Sequence, residues 1–402
     1  MTSPVRIEAD YLIETPGDPR IAAETMAGEQ SSGTFVAVPG ETEELKQRAA
    51  ARVERIELRD SVDAPSLPVA RPISTDGPWR RARVTLSWPI DNIGPSLPNL
   101  VTAIAGNLWE LRQLTGLRLL DLRLPLAFAS AYAGPKFGVA GTRKLTGVND
   151  RPLIGTIIKP SIGMSANETA ALVATLCEAG IDFIKDDELQ SDGAYCPFED
   201  RVRAVMRVVN DHAGRTGRKV MVAFNLTGEL DQMRRRHDLV LAEGGTCVMA
   251  SINSIGLVGM TELARHSQLP IHAHRNGWGA LSRHPALGWD FRAWQTIWRL
   301  AGADHMHVNG IGNKFSETDE SVVASARAAL SPLFADRPCI ALPVFSSGQS
   351  AAQAVPTWRA LGSTDLIFAA GGGILAHPGG PAAGVTELRA AWDAAMSGSR
   401  RP

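Results

Sequence analysis

Eight apolar runs, each followed by an amphipathic stretch, fill the chain from about residue 150 onward, and nothing else in the sequence constrains the fold so tightly. The runs are RPLIGTIIK (151–159), IDFIKDD (181–187), KVMVAFNL (219–226), TCVMASI (246–252), PIHAHRN (270–276), ADHMHVNG (303–310), CIALPVFSS (339–347) and DLIFAAGGG (365–373). Between them lie segments of helical patterning such as SANETAALVATLCEAG, DESVVASARAALSPLF and GVTELRAAWDAAMSG. A strand that is apolar nearly throughout is buried on both faces, the condition of a parallel strand covered by helices. Eight strand–helix repeats of this kind predict a closed (β/α)8 barrel, a TIM barrel.

Residues 1–125 carry a different pattern. VRIEADYLIET, SSGTFVAV, RVERIELRD and RARVTLSWPI alternate apolar and polar residues, which predicts an antiparallel sheet. NLVTAIAGNLWELRQL is expected as a helix against it. The chain, 402 residues long, exceeds what one small core holds. The expected α/β organisation is a smaller N-terminal α+β domain over 1–125 and a C-terminal barrel over 126–402 that carries the active site.

Composition narrows the partners. Apolar residues make up 44%, charged residues 21%, and the formal net charge is −1, so no basic surplus points to nucleic acid. No uninterrupted run of about 18 apolar residues suggests a membrane span. The opening MTSPVRIEADYLIETPGD lacks the basic and apolar regions of a signal peptide. Cys177, Cys196, Cys247 and Cys339 are scattered, without a CxxC motif, which suits the reducing cytoplasm.

Active sites of such barrels gather at the C-terminal ends of the strands, and the reactive residues here fall at those ends. The first run ends in Lys159 and the second in Lys185, Asp186, Asp187 and Glu188. The fifth ends in His272, His274 and Arg275, the sixth in His305 and His307, with Lys314 in the loop GIGNKFSETDE. The seventh ends in Ser346–Ser347–Gly348 and the eighth in Gly371–Gly372–Gly373. A solvated charged turn is the plain explanation of DFIKDDE, but a single turn does not account for matching ends on other strands. Side chains two apart on a strand share a face, so Lys185 and Asp187 point together and Glu188 can join them. Two carboxylates suit a hard cation such as Mg2+. A protonated lysine repels that metal, and ligates it only when its charge is removed, for instance as a CO2-derived carbamate. IHAHR and DHMHV each put two histidines on one face, either as a metal pair or as one active imidazole with a neighbour, and His272 and His305 are the expected structural members. The glycines of AAGGGILAHPGG, paired with FSSGQ, suit backbone binding of a phosphate.

Together these motifs resemble the large subunit of ribulose-1,5-bisphosphate carboxylase, and more closely the RuBisCO-like proteins (form IV), from about residue 20 to 385. GTIIKPSIGMS, DFIKDDE, IHAHR, DHMHVNGIGNK and GGGILAHP are similar to the family's barrel motifs, in the same order. AGEQSSGTF and GNLWELRQLTGLRLLDLRLP are similar to N-terminal segments that reach a partner's site. The resemblance implies that Lys185 is the carbamylated lysine and that Asp187 and Glu188 complete the Mg2+ ligands. It implies Lys159 and His274 as proton-handling groups and Lys314 on a mobile loop. Arg275, His307 and Ser347 would hold one end of the substrate, and Thr34, Gly371 and Gly372 a phosphate at the other. Glu29 and Asn107 would come from a neighbouring subunit, making a homodimer, or a larger assembly of dimers, the active form.

Departures from the carboxylase pattern point away from net CO2 fixation. Ser161 stands where carboxylases carry a second lysine, Phe35 replaces a tryptophan, Gln349 intrudes in SSGQ, and Trp278 stands where another histidine would follow Arg275. What the resemblance then implies is chemistry through a metal-stabilised enolate on a phosphorylated keto sugar or keto acid. The preferred form is decarboxylation, or a related C–C cleavage, of 3-oxo-isoapionate 4-phosphate. The alternatives are the methionine-salvage enolase acting on 2,3-diketo-5-methylthiopentyl 1-phosphate and the 5-methylthioribulose 1-phosphate isomerase. An amidohydrolase would need its histidine pair on the first strand, where Lys159 stands, and a non-catalytic homologue would not need Lys159, Lys185, Asp187, Glu188 and His274 intact.

Overall fold

The structure, a computed structural model, describes residues 4–33, 38–68 and 77–398. Its strands, in chain order, are β1 (Arg6–Thr15), β2 (Arg52–Val62), β3 (Trp79–Pro89), β4 (Gly116–Arg123), β5 (Leu153–Ile157), β6 (Phe183–Lys185) and β7 (Met221–Asn225). They continue with β8 (Cys247–Ser251), β9 (Ile271–His274), β10 (Leu287–Trp289), β11 (His305–His307), β12 (Leu342–Phe345) and β13 (Ile367–Ala369). The chain divides into two compact units, residues 1–132 with 277–297, and residues 133–276 with 298–402.

In the first unit a sheet runs in the order β10-β4-β1-β3-β2. The alternation of β1 puts Ile7, Ala9, Tyr11 and Ile13 on one buried face, opposite Trp88, Leu86, Val84 and Ala82 of β3. Such cross-strand pairs are the stabilising unit of a sheet. Helix Leu97–Ala105 lies against that face, and the Tyr11 hydroxyl donates to the Ile104 carbonyl at 2.6 Å. β2 at the edge is mostly exposed and charged, which discourages pairing with another chain.

Two expectations for this unit change, and one strand is added. The helix expected over NLVTAIAGNLWELRQL stops at Gly106, whose backbone leaves the helical region and where a Cβ would meet the Thr102 carbonyl and the Gln30 amide at 2.6 Å; a short 3-10 turn, Asn107–Glu110, follows. GLRLLDLR is strand β4. The sheet is mixed, since β10 pairs with β4 in parallel, held by Arg118 donating to the Ser282, His284 and Leu287 carbonyls and by Trp109 stacked 6.3 Å from Trp289. Residues 34–37, half of SSGTFVAV, lie outside the described residues.

The second unit is the closed parallel barrel, in the order β11-β12-β13-β5-β6-β7-β8-β9, with β9 pairing back to β11. All eight apolar runs supply its strands in sequence order. β7 and β8 are buried at every residue, as strands covered on both faces must be. Leu153, Phe183, Met221, Met249, Leu342 and Ile367 fill the lumen. The outer helices begin where their sequences say: Ser165 and Glu168 form a reciprocal cap on helix Ala166–Glu178, and Thr318 caps helix Asp319–Leu330. Among the described residues no helix is long and apolar enough to cross a membrane.

Candidate active site

β6 delivers the DFIKDDE segment, and its alternation sorts the charges. Asp186 turns outward, where its carboxylate accepts from Arg201 Nε at 3.2 Å and from the Asn225 backbone N–H at 3.0 Å. Lys185 turns into the barrel and is 1% exposed. Its Nζ donates to Glu188 Oε2 at 3.0 Å and to the Asp186 carbonyl at 2.8 Å. Burial pushes the Lys185 pKa down, against the opposing pull of Glu188, Asp187 and Asp186. Burial pushes the Glu188 carboxyl up, yet Lys185 and His274 outweigh it and hold it at about 2.

Lys159, just past β5, reaches the same cluster. Its Nζ lies 2.5 Å from Asp187 Oδ2 and 2.7 Å from Ser161 Oγ. The backbone from 187 to 190 is clamped by Asn225 at the end of β7, whose Nδ2 donates to the Asp187, Glu188 and Gln190 carbonyls at 3.4, 3.2 and 3.1 Å. Asn225 escaped the sequence reading; its one signal is a lone amide ending the apolar run KVMVAF.

The histidines of β9 and β11 form a stack. His274 Nε2 lies 3.4 Å from Glu188 Oε2. His272 Nε2 and His307 Nε2 are 2.7 Å apart, and His307 Nδ1 reaches Ser346 Oγ at 3.0 Å. His305 is deeper, on Thr142 Oγ1 at 2.8 Å, and His272 and His305 both pack on Phe183. Burial lowers all four imidazoles, His274 and His305 to about 3, so they are neutral at neutral pH.

Beyond β9, Arg275 pairs with Glu317 at 2.6 Å. Asn309 Nδ2 meets the same carboxylate at 2.6 Å, and Ser347 Oγ donates to Asn309 Oδ1 at 2.9 Å. Asn309 and Glu317 gave no sign in the sequence beyond standing in the loop after β11. Lys314 is exposed in that loop, its backbone N–H bonded to the Ser347 carbonyl at 3.2 Å. Of the glycines after β13, Gly373 is the one that packing demands, since a Cβ would lie 2.5 Å from the Gln349 carbonyl. Gly372 has nothing within 4 Å and Gly371 has Ile157 Cδ1 at 3.7 Å, so both leave room. Gln349 is turned against Gly310, with Nε2 on the Ile311 carbonyl at 3.2 Å.

The barrel thus gathers Lys159 with Asp187, and Lys185 and His274 with Glu188, at adjoining positions after β6, and joins Arg275 to Ser347 through Glu317 and Asn309. His307 reaches Ser347 only by way of Ser346. In the first unit Asn107 Nδ2 donates to Glu29 Oε1 at 3.1 Å. Thr34 lies outside the described residues. A separate trio, His237, Asp238 and His266, has metal-ligand spacing. There His237 Nε2 accepts from the Gln268 N–H at 3.1 Å, which puts the proton on Nδ1 toward Asp238 at 2.9 Å and leaves that ring no lone pair for a metal.

Comparison with known proteins gives a consistent result. Residues 138–401 match the family model for the ribulose bisphosphate carboxylase large chain, catalytic domain, and residues 13–128 the model for its N-terminal domain. A 3-oxo-isoapionate-4-phosphate transcarboxylase/hydrolase of Xanthobacter autotrophicus is 64% identical over 98% of this chain and 94% of its own. A 3-oxo-isoapionate-4-phosphate decarboxylase of Rhizobium etli is 48% identical over 98% and 94%. The crystal structure of a rubisco-like protein from Burkholderia fungorum superposes with a TM-score of 0.92 at 54% identity, covering 98% of this chain and 95% of that one.

Proposed function

The chain belongs to the ribulose bisphosphate carboxylase large-chain family, as one of its RuBisCO-like enzymes, and from that premise we propose that it breaks the bond to the carboxyl group of 3-oxo-isoapionate 4-phosphate. The observation that carries the reading is the barrel mouth, where buried Lys185 meets Glu188, Glu188 faces His274, and Lys159 meets Asp187.

A β-keto acid loses its carboxyl group when the electrons of the breaking C–C bond pass into the neighbouring carbonyl. The enolate so formed needs a positive environment and then a proton on carbon. Lys185 as a carbamate, with Asp187 and Glu188, would hold Mg2+, which supplies a Lewis acid for the enolate oxygen. The donor set fits. Burial favours the uncharged amine of Lys185 that adds CO2. The Nζ atoms of Lys159 and Lys185 stand against the Asp187 and Glu188 carboxylates, which leaves those oxygens turned to one place. Lys159, held by Asp187, is the proton donor to carbon. His274, held neutral by burial beside Glu188, is the second proton-handling group. Glycines 371 and 372 hold the phosphate, and Ser161 adds no second ammonium beside Lys159, so ribulose 1,5-bisphosphate is not carboxylated.

The finer features of the reading are a homodimer with Glu29 and Asn107 serving a partner's site, Lys314 closing over substrate, and a cytoplasmic location, which suits four free cysteines. Carboxyl-labelled substrate in deuterated water tests the reaction. Labelled CO2 with one deuterium on the former carboxyl-bearing carbon is the decarboxylase outcome. Transcarboxylation by definition keeps the labelled carbon in an organic product, and the 64% identity favours that outcome. Intact 3-oxo-isoapionate 4-phosphate beside turnover of a methylthio-sugar phosphate overturns the proposal.

A further inference from the structure

Glu317 stands in the loop between Lys314 and helix Asp319–Leu330, and its carboxylate is fixed on both oxygens. Oε2 accepts from Arg275 at 2.6 Å and from Asn309 Nδ2 at 2.6 Å, and Oε1 accepts from Ser321 Oγ at 2.9 Å. Arg275 and Glu317 have side chains 7% and 15% exposed. Asn309, which orients Glu317, is itself held by Ser347 Oγ at 2.9 Å, and its carbonyl accepts from the Ser346 N–H at 3.2 Å. Asn309 and Ser347 both adopt left-handed backbone, φ 65° and 69°, a conformation that asparagine tolerates and that a serine adopts where its surroundings hold it. A guanidinium at a barrel mouth is shaped to take two oxygens of a phosphate. Here a carboxylate of the chain's own already holds it.

We propose that Glu317 is the resident anion of Arg275 and determines specificity, so that this end of the site accepts a neutral, hydroxyl-bearing group and rejects a phosphate. A phosphate within reach of Arg275 would lie against a carboxylate that is fixed by three residues, and like charges at that distance exclude one another. Recognition of phosphate is left to the glycine end. This rests on the reading of the substrate as a monophosphate, and it accounts for how a bisphosphate is refused.

Calorimetric titration of the full-length protein, in Mg2+ and bicarbonate, with ribulose 1,5-bisphosphate and with ribulose 5-phosphate tests it. The wild type is expected to bind the bisphosphate about 10-fold or more weakly than the monophosphate. Glu317→Gln, or Glu317→Ala if the first does not fold, is expected to tighten the bisphosphate by about 10-fold or more and leave the monophosphate unchanged. An unchanged ratio in a variant with wild-type circular dichroism, including no binding of either ligand, overturns the proposal. So does a wild type that binds the bisphosphate as tightly as the monophosphate or more tightly. The readout is binding, so failure to cleave 3-oxo-isoapionate 4-phosphate is scored separately.

Discussion

Asp186 and Asp187 are adjacent, and strand geometry gives them opposite uses. Asp186 compensates Arg201, which is fully buried, whereas Asp187 meets Lys159 at the mouth. Lys185 shares the inward face, and its burial disfavours the charged form. Lys185→Arg keeps a permanent charge and cannot form a carbamate. It is expected to lower kcat/KM by about 1,000-fold or more, while the wild type gains activity on preincubation with CO2 and Mg2+ and loses it to a chelator. Full activity in that variant, or in excess chelator, would falsify the assignment. The grouping of Lys185, Asp187 and Glu188 was legible because a lysine set against acids at a strand end forms a pattern. Asn225, Asn309 and Glu317 were not, because each is one polar residue whose partners are set by tertiary packing, in the case of Asn225 nearly 40 residues away in the chain.

β9 and β11 place four imidazoles side by side, and burial depresses every one. An unfolded histidine titrates near 6.5, whereas His274 and His305 in the fold do so at about 3, with His272 and His307 also well below the usual value. Between those values the unfolded chain binds protons that the folded chain refuses. Stability from these groups is therefore complete above about pH 6.5 and is lost as pH falls toward 3. Glu188, depressed to about 2, acts in the same direction at lower pH. Each imidazole contributes a slope of at most about 1.4 kcal/mol per pH unit, so the melting temperature should fall by several degrees from pH 7.5 to 5.5. His305→Gln should flatten the denaturant-derived slope by about one proton; a flat wild-type profile contradicts the account. These strands were legible from the eightfold strand–helix repeat around them, although half or more of their residues are histidine. β10 was not: Leu287–Trp289 stands outside that repeat, and its place beside β4 depends on Arg118 and on the Trp109 stack.

At the scale of the molecule, the barrel followed from its eight runs, but the return of 277–297 to the first unit left no mark in composition. The residues assigned to one reaction are divided between the units. Glu29 and Asn107, bonded to each other, belong to the first, and Lys159, Lys185, Asp187, Glu188 and His274 to the second. A homodimer in which each site takes one unit from each subunit predicts complementation. Glu29→Gln and Lys185→Arg chains, each inactive alone, are mixed in equal amounts and allowed to exchange. Random pairing makes about half of the dimers mixed, and in each of those one site carries both substitutions while the other carries neither. About one quarter of wild-type activity should therefore return, rising and falling with the fraction of mixed dimers measured by native mass spectrometry. Absence of recovery once mixed dimers are demonstrated would mean that each site is completed within a single subunit, with Glu29 and Asn107 serving the barrel of their own chain.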